Sequence, residues 1–384
     1  MAFEFATATR IIFGNGKFKE IGEHAAAMGT HALVVTRKNP DSAKPLLHLL
    51  DEAQITYVTF AVDGEPTIAM ISEAVHQAKD AECDMVISSG GGSVLDSGKA
   101  IAALATNPGD ALDYLEVIGR GKSLENAPLP FIAIPTTAGT GAEVTKNAVL
   151  ASKEQHLKVS LRHPLMLPRI ALIDPELTYD VPPNITAMTG MDALTQNLEP
   201  FVSNMANPVT DGFCREGLKR AGRSLKAVYE NGNDADARED MALASLLGGL
   251  ALSNAKLGAV HGFAGVIGGM FDAPHGGICA VLLPHVMDVN LKALRKRDSE
   301  NIVVQRYDEI AMILMGRDDV TAVDGVAWVK ALSADMQIPP LSEYGITRRD
   351  FPTIVEKSRG SSSMKGNPIM LTDDELAEIL EAAL

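Results

Sequence analysis

Short apolar runs and longer stretches of helical period alternate through the first half of the chain. "ALVVT" (32–36) is β-branched and apolar and reads as a buried strand, with a polar helical segment after it near 41–52. "TYVTFA" (56–61) predicts a second strand, and "TIAMISEAVHQAKDA" (67–81) has the period of an amphipathic helix. "DMVISS" (84–89) predicts a third strand that runs into "GGGSVLDSGKAIAALA", a glycine turn opening a helix. "FIAIPTT" (131–137) is a fourth strand, and "VTKNAVLA", "LKVSL" and "IALID" read as further β-segments closing this half. Strands alternating with helices imply a parallel sheet covered on its faces.

After "DPELTYDVPP" (174–183) the pattern changes. Pro182 and Pro183 mark a boundary or a helix start, and the chain beyond them is rich in Ala, Leu, Met and Gly with few β-branched runs. Thr372 followed by Glu375 predicts a capping box opening a last helix. The expected organisation is an α/β dinucleotide-binding domain over residues 1–181 and an all-α domain over 182–384, with a ligand cleft between them. The length of 384 residues suits two cores better than one.

Composition narrows the function classes. The chain is 46% hydrophobic and 22% charged, as a globular protein should be, and its formal net charge is −15. That field disfavours nucleic acid and anionic membrane as partners. The N-terminal stretch carries acid and lacks the apolar run of a signal peptide. Cys83, Cys214 and Cys279 are widely spaced, which points to a reducing, cytoplasmic setting and to each acting as a small buried apolar residue.

The glycine turn is the first chemical signal. Gly90, Gly91, Gly92 and Ser93 lie between a strand and a helix, where absent Cβ atoms and a helix N-terminus suit a phosphate. The second cluster, "IPTTAGTGAE" (134–143), also follows a strand, so both open at one sheet edge; Thr136, Thr137 and Thr140 bring hydroxyls for a ribose or pyrophosphate. "FGNGKF" (13–18) lacks the third glycine of a dinucleotide fingerprint and reads as a structural turn. Further on, Asp192 and Gln196 in "GMDALTQNLEPF" lie four apart on a helix and share a face. His261 and His275 follow in glycine-rich surroundings, whereas His24, His31, His48, His76, His156 and His163 have no such grouping.

Together, GGGS with Asp96 and Lys99, "PTTAGTGAE", "IDPELT", "GMDALT", "GAVHGFAG" and "DAPHGGICAVLLPHVM" resemble the iron-containing (group III) alcohol dehydrogenases, from "IIFGNGKF" to "MKGNP". The resemblance implies an NAD(P)-binding α/β domain, a helical domain holding a divalent metal such as Fe²⁺ or Zn²⁺, and a homodimer or larger homo-oligomer. It also implies hydride transfer between nicotinamide and a small alcohol or aldehyde. It assigns the pyrophosphate to Gly91, Gly92 and Ser93 with Asp96 nearby, and a second cofactor loop to Thr136, Thr137 and Thr140. It assigns a ribose contact to Lys158, and the metal to Asp192, Gln196, His261 and His275, of which Asp192, His261 and His275 carry the catalysis.

Two positions depart from the family pattern. Gln196 stands where relatives carry His, and a neutral amide oxygen is a weaker donor than imidazole, so Gln196 is expected as a weak fourth ligand or as a partner of Asp192. Gly265 stands one helical turn beyond His261, where many relatives have a further histidine that relays a proton. In "VVTRKNP", Arg37 takes the place of the acid that selects NAD in similar dehydrogenases, so NADP(H) should be accepted. Glu199 and Asp211 are expected on the helix surface, and Lys365 and Asn367 in a turn or against substrate. The nearest rival within oxidoreductases is a maleylacetate-reductase-like enzyme using Arg162 and Lys365 for a dicarboxylate. An NAD-using lyase of the dehydroquinate synthase type and a non-catalytic nucleotide sensor are the rivals from other classes.

Overall fold

The computed structural model describes residues 2–152, 154–155 and 157–384, so His156 lies outside the described residues. The described residues form strands β1 (Arg10–Phe13), β2 (His31–Arg37), β3 (Thr56–Val62), β4 (Met85–Gly90), β5 (Phe131–Pro135), β6 (Asn147–Ser152), β7 (Leu157–Arg162) and β8 (Ile170–Ile173). Between them lie α1 (Ile21–Ala26), α2 (Lys44–Glu52), α3 (Ile68–Asp80), α4 (Gly92–Ala105) and α5 (Ala111–Tyr114). The remainder is helical: α6 (Pro183–Val202), α7 (Pro208–Glu230), α8 (Ala235–Ala255), α9 (Ala259–Met270), α10 (His275–Arg297), α11 (Ile302–Met315), α12 (Ala322–Asp335), α13 (Phe351–Arg359) and α14 (Asp373–Ala383). The last opens with the Thr372–Glu375 capping box.

Two compact units result. One comprises Ala6–Thr137 and Gly141–Thr178; the other holds Ala138–Thr140, Tyr179–Leu384 and the residues just before Ala6. In the first, six parallel strands form a sheet in the order β1-β8-β5-β4-β2-β3. Its inner strands β2, β4, β5 and β8 are buried on both faces, so their sequences read as nearly continuous apolar runs, whereas the edge strand β3 is half exposed. Leu33, Val35 and Val86 point into one core with residues of α3 and α4, while Ala32, Val34, Met85 and Ile87 point into the other with residues of α1 and α2. Strands β6 and β7 do not extend this sheet; they pair antiparallel as a separate two-stranded ribbon. β1 was not anticipated, and it places the Gly14–Gly16 turn directly after a strand.

The strand order reverses between β2 and β4. Chain direction runs from β2 outward to β3, then returns to place β4 on the other side. Open parallel sheets bind ligands outside the carboxyl ends of their strands at such a point. Helix α4, which starts there, is pressed close to the sheet: a Cβ built on Gly98 would lie 1.9 Å from Ser88 Oγ and 2.7 Å from the Phe131 ring.

The helical unit has one core built from α6 to α14. Helix α10 is long and apolar enough to cross a bilayer by composition, but 78% of that stretch is buried in the unit and Pro284 lies inside it.

The Gly98 contact makes a direct prediction. Gly98→Ala should lower the unfolding free energy by about 1–3 kcal/mol through overpacking. Adding Ser88→Ala should recover only part of the loss in urea denaturation, because the Phe131 edge still occupies the space.

A buried donor cluster in the helical unit

Asp192, Gln196 and Glu199 lie along one face of α6, at spacings of four and three residues. All three are buried. His261 sits in the first turn of α9, and His275 and Cys279 lie one turn apart at the start of α10. One ligand atom from each of Asp192, His261, His275 and Cys279 falls within 4.8 Å of the others. Asp192 Oδ1 is 3.3 Å from His261 Nε2 and 3.8 Å from His275 Nε2, and Cys279 Sγ is 3.9 Å and 3.7 Å from the same two nitrogens.

Glycines bring these helices together. A Cβ on Gly276 would lie 2.4 Å from the Met188 carbonyl of α6, and one on Gly277 would lie 2.7 Å from the Tyr344 hydroxyl. On α8, Gly248 leaves room for Gln196, whose Cβ would stand 3.1 Å from an added one. The "PHGG" stretch is thus a packing device that lets α10 approach α6 one turn before Asp192.

Hydrogen bonds then orient each donor. Glu199 Oε2 lies 2.6 Å from His261 Nδ1, and Glu199 Oε1 accepts the Val260 N–H at 2.7 Å. Asn367 Oδ1 accepts the neighbouring Ala259 N–H, so two side chains cap α9 where its own backbone cannot. Gly258 permits this, since an added Cβ would meet Glu199 Oε1 at 2.9 Å and Asn367 Oδ1 at 3.0 Å. With Nδ1–H donated to Glu199, His261 turns the lone pair of Nε2 toward Asp192. Gln196 donates its amide N–H to Asp192 Oδ2 at 3.1 Å.

This arrangement leaves two buried acceptors, Asp192 Oδ1 and Gln196 Oε1, without a hydrogen-bond donor among the described residues. Each such group costs about 1–3 kcal/mol. Facing Asp192 Oδ1 at 3.3 Å, His261 Nε2 either carries a proton toward that oxygen or shares a cation with it. Burial alone would raise the Asp192 carboxyl, but the bonded His261 and the charge of His275 hold it below its usual range. Burial alone would depress His261, but the Cys279 sulfur, Asp192 and Glu199 hold it well above the usual histidine value. The donor set therefore fits a divalent metal.

Three sequence expectations are corrected here. Glu199 is not on the helix surface; it is 3% exposed and orients a histidine. Asp211 is buried and receives a two-pronged bond from Arg306. Cys279 is buried but lies among polar donors, with its thiol pushed up to about 12 by burial. The helical spacings 192–196–199 and 275–279 carried the signal for Glu199 and Cys279. Asn367, for its part, caps α9 and pairs with Asn290. Gly265 faces open space, with nothing within 4 Å of a built Cβ.

The residues expected to bind cofactor are placed as follows. Gly91 is the N-cap of α4, and Gly92 and Ser93 are its first residues. A Cβ on Gly91 would lie 3.4 Å from Thr137 Oγ1, and the Thr136 N–H donates to the Gly90 carbonyl, so the two loops adjoin at the carboxyl ends of β4 and β5. Arg37 is exposed at the carboxyl end of β2. Asp96 is engaged within the fold: Oδ2 accepts the Val149 N–H and Oδ1 lies 2.9 Å from Lys99 Nζ. Lys158, on β7, pairs with Glu65 at 3.0 Å. Thr140 falls in the helical unit, apart from Thr136 and Thr137.

Comparison with known proteins adds the following. A family model described as iron-containing alcohol dehydrogenase matches residues 8–175, and one described as the C-terminal part of the Fe-containing alcohol dehydrogenase family matches residues 186–384. The chain is 36% identical to alcohol dehydrogenase 4 of Schizosaccharomyces pombe, covering 97% of this chain and 87% of that one. A crystal structure of 1,3-propanediol oxidoreductase superposes with a TM-score of 0.93 at 33% identity, covering both chains completely. A sulfoacetaldehyde reductase from Bifidobacterium kashiwanohense, solved with NAD⁺, superposes with a TM-score of 0.88 at 29% identity, covering 100% of this chain and 99% of that one.

The Glu199–His261 bond can be tested directly. Glu199→Gln should weaken divalent-metal affinity by about 10–100-fold, as removal of such an outer partner does. Competition with a chromophoric chelator measures it, and thermal unfolding of the metal-free protein separates this effect from loss of the α9 cap.

Proposed function

This chain belongs to the iron-containing alcohol dehydrogenase family, and from that premise we propose that Asp192, His261 and His275 hold its divalent ion, with Gln196 as partner of Asp192 or weak fourth donor. The protein is an NAD-dependent alcohol dehydrogenase of a family that uses NAD(H) and a divalent metal. The observation that supports the ligand reading is the pair of orphaned acceptors, Asp192 Oδ1 and Gln196 Oε1, beside two imidazoles.

When bound, the ion would supply Lewis-acid polarisation of the alcohol or carbonyl oxygen, and a nicotinamide would supply the hydride chemistry. The chain's own residues do the rest. Glu199 fixes the His261 tautomer and ring plane, and Gln196 holds Asp192 Oδ2 so that Oδ1 stays directed at the cluster. His275, with its side chain 33% exposed, marks the accessible side of the cluster. Gly265 offers no side chain to carry the alcohol proton, and a Cβ there would face open space.

On the α/β unit, Gly91, Gly92 and Ser93, at the reversal point between β2 and β4, would hold the pyrophosphate, because the first N–H groups of α4 lack intrahelical acceptors there. Thr136, Thr137 and Thr140 serve the adjoining loop. Lys158 reaches the ribose if its Glu65 pair opens, and Asp96 shapes the site from within the fold. The functional division follows residues 1–181 for cofactor and 182–384 for metal, supported by the break in internal contacts after Thr178.

Arg37 confers acceptance of NADP(H). Lys38 pairs with Asp63 at 2.5 Å, whereas Arg37 forms no ion pair among the described residues and its planar guanidinium suits a 2′-phosphate. A dicarboxylate substrate is less well supported, because Arg162 already faces Glu116 at 3.7 Å. Three free, buried cysteines support a cytoplasmic setting, and the family relationship supports a homo-oligomer.

Chelation should abolish activity with a panel of short alcohols and aldehydes and lower the melting temperature, and added Zn²⁺ or Fe²⁺ should restore both. Full activity in protein shown by elemental analysis to be metal-free would refute the ligand assignment. Arg37→Ala should lower kcat/KM with NADPH by about 10–100-fold, or about 1.4–2.7 kcal/mol, and leave NADH within about twofold. Equal losses with both cofactors would show that Arg37 does not read the 2′ position.

A further inference from the structure

We propose that Cys279 is a protein ligand of the metal ion: its thiolate fills the coordination position that an imidazole at 196 would occupy, and the resulting Asp–His–His–Cys set selects zinc over ferrous iron. The proposal rests on the reading that Asp192, His261 and His275 hold a divalent ion.

Geometry carries it. Bonds of about 2.0–2.3 Å to oxygen, nitrogen and sulfur place tetrahedral donors about 3.3 Å apart for oxygen and nitrogen, and about 3.6 Å apart for nitrogen and sulfur. The observed separations are 3.3 and 3.8 Å from Asp192 Oδ1 to the two imidazoles, and 3.9 and 3.7 Å from Cys279 Sγ to the same two nitrogens. The other two separations lie within 4.8 Å, so all four donors can close on one ion by side-chain adjustment.

Chemistry points the same way. Gln196 commits its amide N–H to Asp192 Oδ2, which makes it a positioning residue. The reverse orientation of the amide would set its oxygen against the carboxylate. A neutral amide oxygen is a poor donor beside a thiolate, and a soft sulfur ligand favours zinc. Cys279 lies on the same face of α10 as His275, and the sulfur is wholly buried with the two imidazoles as its neighbours. Binding is a ligand exchange without redox change: the S–H bond breaks, a sulfur–metal bond forms, and one proton passes to solvent. Zinc also accepts a fifth donor, so four protein ligands do not shut out a substrate oxygen.

The test uses the full chain, stripped of metal and reloaded with one equivalent of Zn²⁺ or Co²⁺. X-ray absorption of the zinc form should show one sulfur at about 2.3 Å among nitrogen and oxygen donors. The cobalt form should show sulfur-to-metal charge transfer in the near ultraviolet. Both signals should vanish in Cys279→Ser and persist in Gln196→Ala. Zinc affinity should fall at least tenfold in Cys279→Ser while ferrous affinity changes less, and adding Gln196→His should recover zinc binding. A stoichiometric ion with only nitrogen and oxygen neighbours in the wild type overturns the assignment of Cys279 and leaves the three-ligand reading standing. Failure of the wild type to take up an ion overturns both. The wild-type spectrum decides between these outcomes whether or not the variants fold.

Discussion

A buried carboxylate facing two imidazoles is the constraint around which the helical unit is organised. Asp192 Oδ1 faces the Nε2 atoms of two imidazoles, and Glu199 commits the Nδ1 proton of His261 elsewhere. Lone pairs then converge in a space that water reaches poorly, and only a positive charge reconciles them. Gln196 and Glu199 matter because they keep it so. One holds the outer oxygen of Asp192, the other fixes the ring of His261, and neither needs to touch substrate to act.

Holding such a cluster requires helices closer than ordinary side chains allow. Gly276 lies against the Met188 carbonyl, Gly277 against Tyr344, Gly248 against Gln196 and Gly258 against the Glu199 carboxylate. In each case another residue's atom stands where a Cβ would be. Glycine inside a helix costs about 0.5–1 kcal/mol relative to alanine, so positions such as Gly248 and Gly277 pay in helix stability for donor distances of 3.3–3.9 Å. The carboxylate of Glu199 contributes twice, since it caps α9 at Val260 while orienting His261 on the same helix.

Much of this was legible in the sequence, because the relevant signals are local. Strands β2 to β5 are apolar runs bounded by turns, α3 has an amphipathic period, and Thr372–Glu375 announces α14. β1 was not legible: it has four residues, and its partner β8 lies about 160 residues away. β6 and β7 were readable as strands, but their separation from the main sheet depends on tertiary packing that no local pattern encodes. In the candidate site, Asp192, His261 and His275 were reached through family motifs. Glu199 and Cys279 were overlooked although each lies at helical spacing from a residue of the cluster, because a charged residue on a helix is usually solvated and a lone cysteine is usually inert. Spacing says which residues share a face; only the packing of α9 and α10 on α6 says that this face is dry.

The α/β unit solves a different problem with the same economy of backbone. Its reversal between β2 and β4 leaves a crevice at the strand ends without any dedicated insertion, and Gly90, Gly91 and Gly92 leave the start of α4 uncovered there. The tight seat of Gly98 on Ser88 and Phe131 holds α4 at close range to the sheet, so its N-terminus cannot drift from the turn it opens. Lys99 and Asp96, one turn into the same helix, are spent on Thr145, the Asn147 carbonyl and the Val149 N–H, which ties the helix to β6. Charges inside this unit therefore fasten α4 to its scaffold, while Arg37 is exposed and forms no ion pair among the described residues. The anchoring of this turn and the charge at Arg37 are separable, because none of the contacts that fasten α4 to the sheet and to β6 involves Arg37.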